Sequence, residues 1–211
     1  PLRDFPFTDD IGVSVALSAM FSATFRLDLS TVPLHALSAA SPGTGKTLLA
    51  EIVSLIATGA QPSVLAMGGT REEFEKRLES VVIAGDAMIV IDNVSRPMEG
   101  DTACIALTSS QMSVRVLGRS EILKLPVTSF FMATGNNFRA RGDLVRRIVV
   151  AQMDAGVEHP EQRMFDRDLK AWVIENRSHL LSAIYTVRRA HLLAGEPDEE
   201  LVPLGSFEAW S

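Results

Sequence analysis

ASPGTGKT, residues 40–47, sits between the apolar stretch PLHALSAA and the segment LLAEIVSLIA. A glycine-rich turn with one lysine, between a predicted strand and a predicted helix, is suited to hold a phosphate. Successive backbone N–H groups and the helix N-terminus can surround the oxygens of the anion. The spacing matches GxxxxGK[ST] except that Ala40 stands at the first glycine. Gly43 and Gly45 let the backbone turn and approach closely, Lys46 reaches the β- and γ-phosphates, and the Thr47 hydroxyl is the expected magnesium ligand. The expected nucleotide-binding residues are therefore Ser41, Pro42, Gly43, Thr44, Gly45, Lys46, Thr47 and Leu48, with ATP and Mg2+ as cofactors. An ordinary strand-to-helix turn with an incidental lysine is the plain alternative; the flanking strand and helix favour the nucleotide.

The chain around this turn has 211 residues, enough for one α/β domain with a small appendage. Apolar residues make up 46% and charged residues 22%, so a real core can be buried. No run is long and apolar enough for a membrane span, and PLRDFPFTDD lacks the basic start and apolar core of a secretory signal. The first residue is Pro, not Met, as expected of a piece of a longer protein. Cys104 is the single cysteine, which excludes an internal disulfide and fits a reducing, cytoplasmic setting. A net charge of −6 argues against nucleic-acid binding by the whole surface, but leaves room for a local basic element. His35, His159, His179 and His191 show no zinc spacing with Cys104.

Working outward, residues 8–26 read as a helix capped at Thr8 or Asp9, and KTLLAEIVSLIA as a helix ended by TGAQP. PSVLAM is a strand, and Thr70 with Glu73 forms a capping box ahead of Phe74 and Leu78. DAMIVIDN is a buried strand, followed by a short helix near 101–109. MSVRVLG and SEILKLPV flank Gly118-Arg119-Ser120 as a β-hairpin at about 113–125; VTSFFMATGNN and RIVVAQM are further strands. Strands alternating with helices predict a mostly parallel sheet sandwiched by helices. After Pro160 the pattern is helical: Phe165, Leu169, Trp172 and Val173 share one face, and Leu180, Ile184, Val187 and His191 another. The expected division is a core over 1–156, a small helical lid over 157–195 and a loosely attached acidic tail over 196–211.

Asp92 ends the apolar strand IVID, at the carboxyl edge where open α/β sheets place ligands. By itself such an Asp is more readily a cap for the next loop. Beside an upstream phosphate loop it is the expected magnesium carboxylate.

SPGTGKT and IVIDN, in this order, resemble the two nucleotide motifs of the AAA+ P-loop ATPases. The resemblance implies a polar sensor at the end of a strand between them, where Asn136 is the better match and Asn137 the second. It also implies that Arg146 and Arg147, in GDLVRRIVV, reach the nucleotide site of a neighbouring subunit; two surface arginines at a strand start are the alternative. A guanidinium holding two phosphoryl oxygens would offset the charge that builds there. More narrowly, ATGNNFRARGDLVRR and DAGVEHPEQRMF resemble the helicase-like modules of phage and mobile-element replication proteins, the virulence-associated E group and relatives of superfamily 3 helicases. That resemblance runs from about Phe5 to Gly195. It implies a homo-oligomer that forms a hexameric ring in the active state, DNA as single strand or duplex, and a primase domain in the parent chain. It also implies a hairpin in the ring channel carrying Arg115, Arg119 and Lys124, which could equally be solvated charges.

One position departs from the family pattern. Where most members have a Glu that polarises the attacking water, this chain has Asn93. An amide can orient water but cannot accept its proton. Glu99 or Asp101 could substitute, hydrolysis could be slow, or the domain could bind ATP without turnover. Arg188 and Arg189 could reach the γ-phosphate but read more simply as surface arginines near a helix end. Three functions follow: a DNA-stimulated ring ATPase, an ATP-binding assembly module with weak hydrolysis, and, with no acceptor site identified, a small-metabolite kinase.

Overall fold

The computed structural model describes residues 1–115, 121–197 and 202–211. In chain order the elements are α1 (Asp10–Thr24), β1 (Leu34–Ala39), α2 (Lys46–Thr58), β2 (Ser63–Ala66), α3 (Arg71–Ala84) and β3 (Met88–Asp92). They continue with α4 (Asp101–Thr108), β4 (Gln111–Arg115), β5 (Ile122–Pro126), β6 (Phe130–Asn136), β7 (Ile148–Met153) and α5 (Leu169–Leu193). Five strands form one parallel sheet in the order β2-β3-β6-β1-β7. β4 and β5 pair separately and antiparallel, so the two arms of the expected hairpin are present, while its turn at 118–120 lies outside the described residues.

Alternation along each strand splits the core between the two faces of the sheet. Ile89, Ile91, Phe131 and Ala133 face α3, α4 and the hairpin; Met88, Val90, Phe130 and Met132 face α1, α2 and α5. This double cover explains why β3 and β6 read as continuous apolar runs. It also buries two polar residues of β1, His35 and Ser38. The His35 ring uses both nitrogens, Nδ1 with the Pro33 carbonyl and Nε2 with Ser18 Oγ, each at 3.0 Å. Burial pushes its pKa down to about 4, so the ring is neutral at pH 7.

Local signals act as the sequence suggests at the helix starts. Asp9, not Thr8, caps α1 by accepting the Gly12 N–H, and Thr70 caps α3 by accepting the Glu73 N–H. The Glu73 carboxylate reaches back to the Gly69 N–H at 2.8 Å, one residue earlier than in the simplest capping box.

Two expectations are corrected. The segment after Pro160 contains one short turn and a single 25-residue helix, where the two apolar faces suggested two helices. No Gly or Pro interrupts residues 169–193, so the helix has no reason to break. Leu169, Trp172, Val173, Leu180 and Ile184 of α5 pack into the cluster that contains α2. Nor are residues 202–211 of the tail loose. Phe207 is fully buried, and the Trp210 indole N–H donates to Ser22 Oγ at 2.7 Å. No helix among the described residues is long and apolar enough to cross a membrane.

Candidate nucleotide-binding site

The loop between β1 and α2 takes its shape from two glycines. Gly43 and Gly45 have φ of 76° and 96°, the left-handed region where side chains are strained. A Cβ on Gly43 would also lie 2.9 Å from the Glu161 backbone nitrogen. Lys46 curls into the loop it starts from, donating through Nζ to the Ser41 carbonyl and to Thr44 Oγ1, both at 3.0 Å. Burial lowers the pKa of this ammonium, and the Asp92 carboxylate partly opposes the shift.

The carboxylate of Asp92 collects two hydroxyls on Oδ1. Thr47 Oγ1 donates from 3.0 Å and Thr134 Oγ1 from 2.7 Å. Thr134 in turn accepts the Asn93 N–H at 3.0 Å. This buried threonine was not singled out in the sequence; the one signal for it is a hydroxyl inside the apolar run of β6. Thr47 and Asp92 converge as a divalent cation requires: cis oxygens of an octahedral magnesium site stand about 3 Å apart at bond lengths of about 2.1 Å. The residues present therefore fit magnesium and a polyphosphate. Pro42 and Leu48 lie on the same loop and first helical turn, Leu48 partly buried against the apolar cluster.

Beside the loop lies a mostly apolar cavity of about 200 Å3, lined among others by Phe5, Leu48, Arg163, Phe165, Arg167 and Leu169. The Phe5 ring comes within 3.3 Å of where a Gly45 Cβ would be. Arg163 lies 5.1 Å over the Phe165 ring and donates to the Asp4 carbonyl at 2.7 Å, linking the N-terminal segment to the stretch before α5. Apart from Leu48, these lining residues, and Glu161 over Gly43, come from parts of the chain remote from the loop. Only the tertiary structure brings them together.

Asn136 stands exposed at the end of β6, and Asn137 follows with φ of 49°, its N–H bonded to the Ala39 carbonyl at 2.8 Å. Asn93 is exposed, with φ of 53°. Of the two carboxylates considered as substitutes for a base, Asp101 pairs with Arg71 at 2.9 Å, while Glu99 is partly buried.

The two arginines before β7 part ways. Arg147 is buried and donates to Thr108 Oγ1, to the Asp143 carbonyl and to the Asp143 carboxylate. Arg146 is exposed and donates to the other oxygen of Asp143. Hydrogen bonds from Arg146 and then Arg147 hold the Asp143 pKa at about 2. On the hairpin, Ser113 pairs with Lys124 and Arg115 with Ile122, which puts Arg115 and Lys124 on one exposed face. Met112 and Val114 hold the opposite face in the core, and Arg119 lies outside the described residues.

No protein-family model matches the chain, and no curated protein matches it. Among solved structures it is similar to the apo C-terminal region of NrS-1, with a TM-score of 0.54 and 14% identity over 87% of this chain and 47% of that one. A second structure of that region gives a TM-score of 0.51 and 12% identity over 83% and 45%. The JCV helicase gives 0.44 and 16% identity over 69% and 44%. The chain spans about half the length of the structures it resembles. Its architecture is the α/β fold of a P-loop NTPase, a mostly parallel five-stranded sheet flanked by helices.

Proposed function

We propose that the chain is the ATP-binding module of a helicase-type replication ATPase that works as a ring on DNA. The observation that carries this reading is the convergence of Lys46, Thr47 and Asp92 at the carboxyl ends of β1 and β3, with Thr47 and Asp92 3.0 Å apart. The loop amides and Lys46 bind the phosphates, and Lys46 exchanges its bonds to Ser41 and Thr44 for phosphate oxygens. Thr47 and Asp92 would hold magnesium, which when bound neutralises charge on the terminal phosphates. The apolar cavity beside Phe5 and Leu48 takes the nucleobase.

Asn136, exposed at the end of β6, donates its amide to the terminal phosphate in this reading. Asn93 orients water, and its exposed amide leaves proton acceptance to another group or to solvent. Arg146, exposed beside β7, is the residue offered to a neighbour's nucleotide, while Arg147 holds the turn that presents it. In a hexameric ring, Arg115 and Lys124 repeat around one channel and bind phosphodiesters without sequence preference. A primase domain in the same parent chain would fit this role.

The second reading, an ATP-dependent assembly module with weak turnover, is favoured by Asn93 and by the acidic net charge of −6. Steady-state ATPase assays with and without single-stranded DNA, alongside equilibrium ATP binding, separate the two. DNA-stimulated turnover that Lys46→Ala lowers by about a hundredfold or more supports the first. Tight binding with no turnover supports the second, and failure to bind ATP refutes both.

A further inference from the structure

A second cavity, of about 220 Å3, opens between the loops that follow β3 and β6, and its lining includes Ser95, Arg96, Asn136, Asn137 and Arg139. The two loops are clamped edge to edge: the Met98 N–H donates to the Arg139 carbonyl at 2.8 Å, and the Arg141 N–H to the Met98 carbonyl at 2.9 Å. Arg96 is the unusual member. Its Nε and Nη2 are buried and have no hydrogen-bond partner among the described residues. A guanidinium with donors out of water and no acceptor is strongly unfavourable, and a second guanidinium, Arg139, borders the same space. One bound oxyanion would satisfy both, with the amides of Asn136 and Asn137 as further donors.

The size of the cavity and the burial of Arg96 select the ligand. Nucleic-acid backbones are gripped by side chains that reach out into solvent, whereas Nε and Nη2 of Arg96 are out of water. The cavity suits a single tetrahedral ion with its waters. Asn136 belongs both to this lining and to the edge of the sheet that carries the phosphate loop and Asp92. We propose that this cavity is an inorganic-phosphate site, which receives the phosphate leaving the nucleotide. The source of the phosphate rests on the ATPase reading above; the anion site itself does not.

The test is binding of inorganic phosphate to the whole chain without nucleotide, by calorimetry or 31P NMR, in the parent and in Lys46→Ala, Arg96→Met and Arg139→Ala. Lys46→Ala is expected to bind phosphate as the parent does, while Arg96→Met and Arg139→Ala lose about tenfold or more in affinity. Thermal melts in phosphate-free buffer check folding, and the exposed Arg139→Ala keeps the test readable if Arg96→Met fails to fold. No phosphate binding, or binding lost in Lys46→Ala and kept in both arginine variants, overturns the site. Displacement of phosphate from Lys46→Ala by a single-stranded oligonucleotide overturns the assignment to released phosphate and gives the cavity to a phosphodiester. A chain that fails to bind ATP yet binds phosphate through Arg96 would sink the ATPase reading and keep the anion site.

Discussion

Asp92 depends on a residue 42 positions away: the Thr134 hydroxyl donates to its carboxylate and accepts from the next backbone N–H. Thr134→Val keeps the shape and removes the hydroxyl. It leaves the Asn93 N–H without its acceptor, at an expected cost of about 1–3 kcal/mol in denaturant unfolding. ATP turnover should fall by about tenfold or more as the carboxylate loses its orientation, with a smaller effect on ATP binding. His35 gives a pH signature. Its folded pKa of about 4 lies below the ordinary 6.5, so the unfolded chain binds the proton first and stability falls as pH drops through that interval. Between pH 6.5 and 5 the loss should be about 2 kcal/mol, and His35→Gln should flatten it when urea unfolding is compared at the two pH values.

At the scale of elements, α5 is fastened to the helix that begins at the phosphate loop. Arg177 donates from Nε to the Leu55 and Ile56 carbonyls at 3.0 Å and from Nη2 to the Ala57 carbonyl at 3.1 Å. These are the open carbonyls at the C-terminus of α2, where the helix dipole also favours a cation. Lys170 adds an ion pair to Glu51 on the same helix. Arg177→Met should cost about 2 kcal/mol in chemical denaturation, less than three full charged hydrogen bonds because the site is half-exposed. ATP affinity should change little, because the phosphate loop is held at the other end of α2 by Gly43 and Gly45. An equal collapse of affinity and stability would place α5 in the site itself.

Across the whole molecule, the sheet order puts β6 between the strands that carry Asp92 and the phosphate loop, and leaves β7 with its preceding arginines at an edge. An edge can face a second subunit. Arg146→Ala should therefore leave ATP binding within about twofold and lower turnover by about a thousandfold. Mixing it with Lys46→Ala, whose own site is dead but whose Arg146 is intact, should restore activity in mixed assemblies, read as a maximum at intermediate ratios. A flat mixing curve would refute a role in trans. Arg147→Ala should instead lower the melting temperature, because it strips donors from Thr108 and Asp143 within the subunit.

The local chemistry of the chain determined the glycine-rich turn between β1 and α2, the Asp92 strand, the helix caps and the alternation that makes a parallel sheet. Each of these is written in residues adjacent along the chain or at a fixed period, and needs no distant partner to be recognised. What brings Thr134 to Asp92, Phe5 and Arg163 to the loop, and Arg96 to Asn136 is long-range packing, which no local pattern encodes. The same limit applies to Arg146 and Arg147. They are neighbours in sequence with identical side chains, and only the position of Thr108 and Asp143 in space turns one inward and leaves the other outside. The anchoring of Phe207 and Trp210 follows the same rule: an acidic, proline-containing tail reads as loose until a vacant apolar surface is present to bury its aromatic rings.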